Sequence, residues 1–391
     1  MLAIMKRIYL DYAASSPLAP GVLEAMLPYL ESHYANPHAL YTEGKQARVA
    51  LEEARAVVAT AIGTAPPELV FCSGGTEADN AAIAGIAQAV RRRKGAQANH
   101  VICSAFEHPA VLESVKALKS SGFDVTLLRP TRDGFITPET LKSAITNSTI
   151  VVSIMATQNE IGTIQPISEL AAVAHEHGAL FHTDAVAALG KRPFDVQALG
   201  VDAASFSAHK IGGPKGAGAL FIKQTTPFET QMRGGGQEGT RRSGTQDVAG
   251  AVGFAAAAVY SCDLGQCNRE AARLTVLRDY LTARLIALDI RLRLSVPIIP
   301  GDSTHHIPGI VSCTVDRQES EMLLLRLDEA GIAVSGGSAC SSGSLEPSHT
   351  LLSLGIPKDR AFGALRFSLG EQTTRDDIDT LLGVLSGILS T

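Results

Sequence analysis

The residue of the chain that points most directly to chemistry is Cys340, set in the run VSGGSACSSG between Val334 and Gly343. Buried cysteines normally sit in apolar strands or helices and act as small hydrophobes. Small polar neighbours cannot form such an element, so the run predicts a flexible loop that exposes its thiol. A thiol so placed is a candidate nucleophile. Five further segments carry groups it could work with. In SAHKIGGPKG, from Ser207 to Gly216, Lys210 stands on a Gly-rich turn after a strand pattern. That suits a lysine reaching into a cleft to form a Schiff base, and equally a surface lysine in a loop. The strand pattern ALFHTD ends on Asp184, either a carboxylate able to keep a pyridine nitrogen protonated or a cap for the next helix. FCSGGTEADN reads as strand, glycine turn and helix, and its helix start at Gly75 with the Thr76 hydroxyl makes an anion cradle. CSAFEH brings His108 off another strand as a proton carrier or ring-stacking group, and LRFSLG places Arg366 in an apolar strand where it needs an anionic partner. An internal carboxylate would satisfy Arg366 as well as a substrate would.

These groups need a scaffold that brings strand ends to one edge. Short apolar runs at 69–73, 100–104, 124–128, 149–155, 180–183, 203–207 and 219–222 alternate with helical patterns. Examples of the latter are 47–62, closed by Gly63, and 168–177, capped by Ser168 and followed by Gly178. Such alternation predicts an α/β domain with a mainly parallel, seven-stranded sheet. Beyond Gly244 the pattern changes to helices at about 245–260 and 266–288, a strand at 310–315, a helix at 319–330, strands at 333–335 and 365–368, and a last helix from Thr374. This predicts a smaller α+β C-terminal domain. The division expected is 14–260 for the large domain, with 1–13 and 261–391 forming the small domain that carries Cys340 and Arg366.

At 391 residues two domains are the natural expectation, and a composition of 45% hydrophobic and 19% charged residues is globular. A net charge of -5 gives no general attraction to nucleic acid or membrane. The basic run Arg91-Arg92-Arg93-Lys94 reads as a helix C-terminus. Six cysteines without a CxxC pair are neither a disulfide framework nor a zinc site, and His175 and His177 do not share a helix face, so no metal is expected. With no secretory core or membrane-length apolar run, the expected location is cytoplasmic.

Taken in order, SGGTEADN, EHPAV, QNEIGTIQPI, HTDAV, SAHKIGGPKG, GGGQEGTRRSGT, SGGSACSSGSLEPS and LRFSLG resemble the pyridoxal-phosphate (PLP) cysteine desulfurases of class V aminotransferase type. The long loop around Cys340 is similar to the NifS/IscS branch. The resemblance implies PLP fold type I and conversion of L-cysteine to L-alanine, with sulfur transferred to Cys340 as a persulfide. Delivery would then be to a sulfur-acceptor protein such as an iron–sulfur scaffold or a sulfur carrier. It implies Lys210 as the cofactor-holding base, Asp184 beside the pyridine nitrogen and His108 over the ring. Gly75, Thr76, Ser207 and His209 would hold the phosphate, joined by Thr245 from the partner in a homodimer. Asn159, Asn36 and Arg366 would hold the substrate carboxylate or the phenolic side of the cofactor. Two positions depart from the pattern: Ala187 replaces a Gln that contacts the phenolic oxygen, and Gln158 replaces the first Asn of an Asn-Asn-Glu triplet. A selenocysteine lyase, another PLP lyase or aminotransferase, or a non-catalytic scaffold paralogue remain open on the same scaffold.

Overall fold

The computed structural model describes residues 7–337 and 346–390. Its largest sheet is built from β2 (Leu69–Cys72), β3 (His100–Ser104), β4 (Asp124–Leu128), β5 (Thr149–Ser153), β6 (Leu180–Asp184), β7 (Ala203–Ser207) and β8 (Gly218–Ile222), after a short β1 (Ile8–Tyr9). The spatial order is β2-β8-β7-β6-β5-β3-β4, and β8 alone runs against its neighbours. Strands β3, β5, β6 and β7 are buried at every position except Leu180, as expected for a parallel sheet covered on both faces. One core packs Leu51, Val58, Phe181, Phe206 and Phe254 on one face; a second packs Ile83, Ile86, Val101, Val115 and Val151 on the other.

All seven strand patterns fall on observed strands. Helix limits differ where capping chemistry decides. The helix Thr42–Ala61 starts five residues before the expected 47 and ends against Gly63, whose φ of 72° suits glycine. The helix Ile167–Glu176 begins after Pro166 rather than Ser168, since Pro166 occupies the cap position. The Ala-rich helix starts at Val248, because Asp247 caps it by accepting from the Gly250 N–H at 2.8 Å. The basic run forms the last turn of the helix Gly75–Lys94.

A separate core gathers Leu10, Leu281, Val311, Leu323, Phe367 and Leu385. It is framed by β9 (Leu292–Leu294), β10 (Ile310–Val315), β11 (Ile332–Ala333) and β12 (Ala364–Ser368), with β12-β10-β9 antiparallel. Strand β1 pairs in parallel with β11, so the N-terminal segment crosses from this core to the large sheet. The three-residue β9 has no counterpart among the predicted elements. Among the described residues no single helix is long and apolar enough to cross a membrane.

Candidate active site

Strands β2, β6 and β7 finish at one edge of the large sheet, and the residues that follow them line a cavity of about 210 Å³. It gathers nine of the predicted residues: Gly75, Thr76, His108, Asn159, Asp184, Ser207, His209, Lys210 and Arg366. Asn36 is exposed, outside this cavity, with its Oδ1 accepting from the His38 N–H at 2.9 Å. Thr245 is exposed as well and does not line it. Cys340 lies outside the described residues.

The anion cradle follows from backbone geometry. Gly74 has φ 151°, a conformation side-chain-bearing residues rarely adopt, and it turns the chain from β2 into the helix that starts at Gly75. The first helical hydrogen bond runs from the Ala78 N–H to the Gly74 carbonyl at 3.1 Å, so the N–H groups of Gly75, Thr76 and Glu77 make no bond within the helix. Gly75 must be glycine for packing, since a Cβ there would lie 2.6 Å from Val186 Cγ2. Ser207 and His209 approach from β7. Burial pushes the His209 imidazole down to about 4, helped by the charges of Lys210 and Lys215, so near neutral pH it bonds as a neutral ring.

Lys210 ends the short turn after β7, and its Nζ donates to the carbonyls of Ala13 at 2.5 Å and Ala14 at 2.9 Å. The N-terminal segment thus forms the wall that holds the amine. Asp184, the last residue of β6, is 4% exposed and accepts from the Val186 N–H at 2.9 Å. Burial raises its pKa, against the pull of His108 and Lys210. A protonated ring nitrogen beside it would favour its charged form further, in the same direction as His108 and Lys210. His108 caps the helix Pro109–Ser120, its Nδ1 accepting from the Ala110 N–H at 3.1 Å. That bond assigns the proton of the neutral ring to Nε2.

On the opposite wall, Arg366 is almost fully buried. Its Nη2 donates to Asp11 Oδ1 at 2.8 Å and its Nη1 to the Asn159 carbonyl at 3.0 Å, while Nε has no hydrogen-bond partner among the described residues. The internal carboxylate, Asp11, therefore satisfies one arm of the guanidinium of a residue that also lines the cavity. Sequence patterns did not single out three further cavity residues: Asp79, Glu107 and His349. Glu107 is fully buried and accepts from Ser104 Oγ and the Met155 N–H through Oε1, while Oε2 has no hydrogen-bond partner among the described residues. Burial raises it to about 8. Its place just before His108 was the available signal. His349 is held by Nε2 to the Glu107 carbonyl at 2.9 Å, a long-range contact that no local pattern announces.

A helix-start cradle of N–H groups, an amine held at two main-chain carbonyls, a buried carboxyl and a buried guanidinium lining one cavity fit a phosphorylated pyridine aldehyde with an amino-acid substrate. Residues 8–381 match the aminotransferase class-V family. The cysteine desulfurase IscS of Dictyoglomus turgidum is 44% identical over 98% of this chain and 95% of its own length. The human cysteine desulfurase is 40% identical over 96% of this chain and 80% of its own. Among solved structures, a NifS-like protein superposes with a TM-score of 0.89 at 33% identity, covering 98% of this chain and 99% of that one. SspA in complex with cysteine superposes with a TM-score of 0.79 at 33% identity, over 93% of this chain and 98% of the other.

Proposed function

This chain belongs to the class-V aminotransferase family and, within it, to the PLP-dependent cysteine desulfurases, and on that footing we propose how its own residues divide the work. The backbone N–H groups from Gly75, with Thr76, Ser207 and His209, hold the cofactor phosphate, and Thr245 completes that grip from the other subunit of a homodimer. Asp184 pairs with the ring nitrogen, and His108 lies over the ring face. When bound, PLP would supply an electron sink that acidifies the substrate Cα–H and weakens the bond from Cβ to sulfur.

Lys210 anchors the cofactor and, once released, takes the Cα proton at Nζ; the Ala13 and Ala14 carbonyls hold that amine in place. Arg366 and Asn159 fix the carboxylate of L-cysteine. Asn36, outside its own cavity, reaches a substrate only across the subunit boundary. His108 carries a proton between the substrate thiol and the cavity through Nε2. The Cys340 thiolate attacks the substrate sulfur, the carbon–sulfur bond breaks, and Cys340 is left as a persulfide while the organic product leaves as L-alanine. A sulfur-acceptor protein, an iron–sulfur scaffold or a sulfur carrier, then collects the sulfur in the cytoplasm. Residues 14–260 would form the cofactor-binding domain, with 1–13 and 261–391 as the smaller one.

The observation that carries this reading is the meeting of Lys210, Asp184, His108 and Arg366 in one cavity. Purified protein incubated with L-cysteine is expected to release alanine and to carry a persulfide mapped to Cys340. Full alanine production by Cys340→Ser would overturn the assignment of that thiol.

A further inference from the structure

Residues 233–246 form an arm of turns and bends that includes a short helical turn at Glu238–Thr240 and carries the exposed Thr245. Glu238, Gly239 and Thr240 have φ values of 51°, 61° and 67° in succession, a left-handed stretch in which two residues carry side chains. For the two residues with side chains such backbone is strained, and it persists only where surrounding contacts impose it.

Two contacts impose it here: one reaches the strand that leads into the phosphate cradle, the other the first turn of the helix that follows it. The Glu238 carboxylate accepts from Arg55 Nη1 at 2.6 Å, Arg55 Nη2 at 2.9 Å, the Phe71 N–H at 2.8 Å and Gln246 Nε2 at 3.0 Å. It therefore ties the base of the arm to β2 and to the residue next to Thr245. Four positions beyond Glu238, Arg242 donates Nε to Glu77 Oε1 at 2.8 Å and Nη2 to Glu77 Oε2 at 3.3 Å. The same Glu77 Oε2 accepts from the Ser73 N–H at 2.8 Å, closing the glycine turn onto the first turn of the helix. Arg242 thus stabilises the carboxylate that shapes the cradle, although it touches no part of the cavity itself.

We propose that the Glu77–Arg242 pair couples the two cofactor sites of the homodimer, by fixing in each subunit the Thr245 arm to that subunit's own phosphate turn. The proposal rests on the reading of Thr245 as a phosphate contact made across the subunit boundary. Binding of phosphate in one cradle orders its Ser73–Glu77 turn; the Arg242 fork transmits that order to the arm; and the arm presents Thr245 to the other site. By linkage the coupling is reciprocal, so the second cofactor binds more tightly than the first. Arg242 is in this sense a positioning residue, acting on phosphate through Glu77.

The test strips the holoenzyme of cofactor and titrates it with pyridoxal phosphate while sedimentation follows the dimer. The wild-type protein is expected to bind with a Hill coefficient above unity. Arg242→Met is expected to bind without cooperativity and on the order of tenfold more weakly, the loss that follows from removing one charge-assisted contact. Arg242→Lys keeps the charge without the fork and restores part of the affinity. Arg233→Met removes a charge from the same arm that pairs with Glu229 instead, and is expected to titrate as wild type. Non-cooperative binding by a wild-type dimer, or wild-type steepness in Arg242→Met, overturns the proposal. Thr245→Val separates the two readings. If it binds cofactor as wild type does, the cross-subunit role of Thr245 fails. If it binds weakly while Arg242→Met keeps its steepness, that role stands and the coupling falls.

Discussion

Arg366 grips the Asn159 carbonyl through Nη1 at 3.0 Å, so a strand of the small sheet holds the turn that follows β5 of the large one. The same side chain lines the cavity, and its buried Nε has no hydrogen-bond partner among the described residues, so the brace proposed to hold a substrate carboxylate is open to test. Arg366→Lys retains the charge and loses the planar fork. The KM for L-cysteine is expected to rise on the order of 10- to 100-fold, the worth of one hydrogen bond to a charged group, with kcat changing less. Steady-state alanine release checks this; a lowered melting temperature with unchanged KM would leave Arg366 as brace alone.

Glu107 offers a prediction in pH. Its folded pKa is raised from 4.5 to about 8, first by burial and further by the Asp184 charge. A carboxyl raised in the folded state binds its proton more tightly there than in the unfolded chain. Its contribution to stability is full below pH 4.5 and is lost as pH rises through about 8. Glu107→Gln mimics the protonated form, so the cofactor-free variant is expected to gain stability over the wild type as pH rises from 5 to 8, as read from denaturant midpoints. A difference between the two proteins that is constant with pH would contradict this.

Ala187 lines the cavity beside Lys210 where the family resemblance places a glutamine. Restoring the amide by Ala187→Gln is expected to shift the visible band of the cofactor-loaded protein, or the midpoint of its pH titration. Superimposable spectra across the titration would show that the missing hydrogen bond is supplied by another group.

The Arg55–Glu238 pair is buried on both sides, with side-chain exposures of 8% and 1%. Removing one partner strands the other charge, so Arg55→Ala is expected to cost about 3–5 kcal/mol in unfolding free energy. Glu238 has a lowered pKa: burial opposes this, but the Arg55 bonds outweigh it. The pair's contribution is therefore lost as pH falls, and the gap between wild type and variant should narrow in acid. A loss below 1 kcal/mol near pH 7 would mean that Phe71 and Gln246 satisfy Glu238 unaided.

Much of the site was legible in sequence because its parts follow strands directly. Lys210, Asp184, His108 and the Gly75 turn each come within a few residues of a strand whose apolar run is plain, and the parallel sheet brings those ends together. Glu107 and Asp79 stood inside the quoted motifs, yet burial is what gives them chemical weight, and burial is a tertiary property. His349 meets Glu107 across 242 residues, a distance no periodicity spans. Asn36 illustrates the opposite case: its motif position marks it as a candidate, yet it is exposed outside the cavity, because a motif carries no information on where a loop lies in space.

Strand β8 runs against its neighbours between β2 and β7, which lets those two strands point the same way while standing two ladders apart, roughly 10 Å. At its start Gly218 lies under the turn, where a Cβ would fall 2.4 Å from Gly74 Cα. The span between phosphate grip and reactive amine is therefore a property of main-chain architecture. Side chains at the edge can be exchanged to suit a new amino acid, whereas a cofactor of another length would require a different sheet.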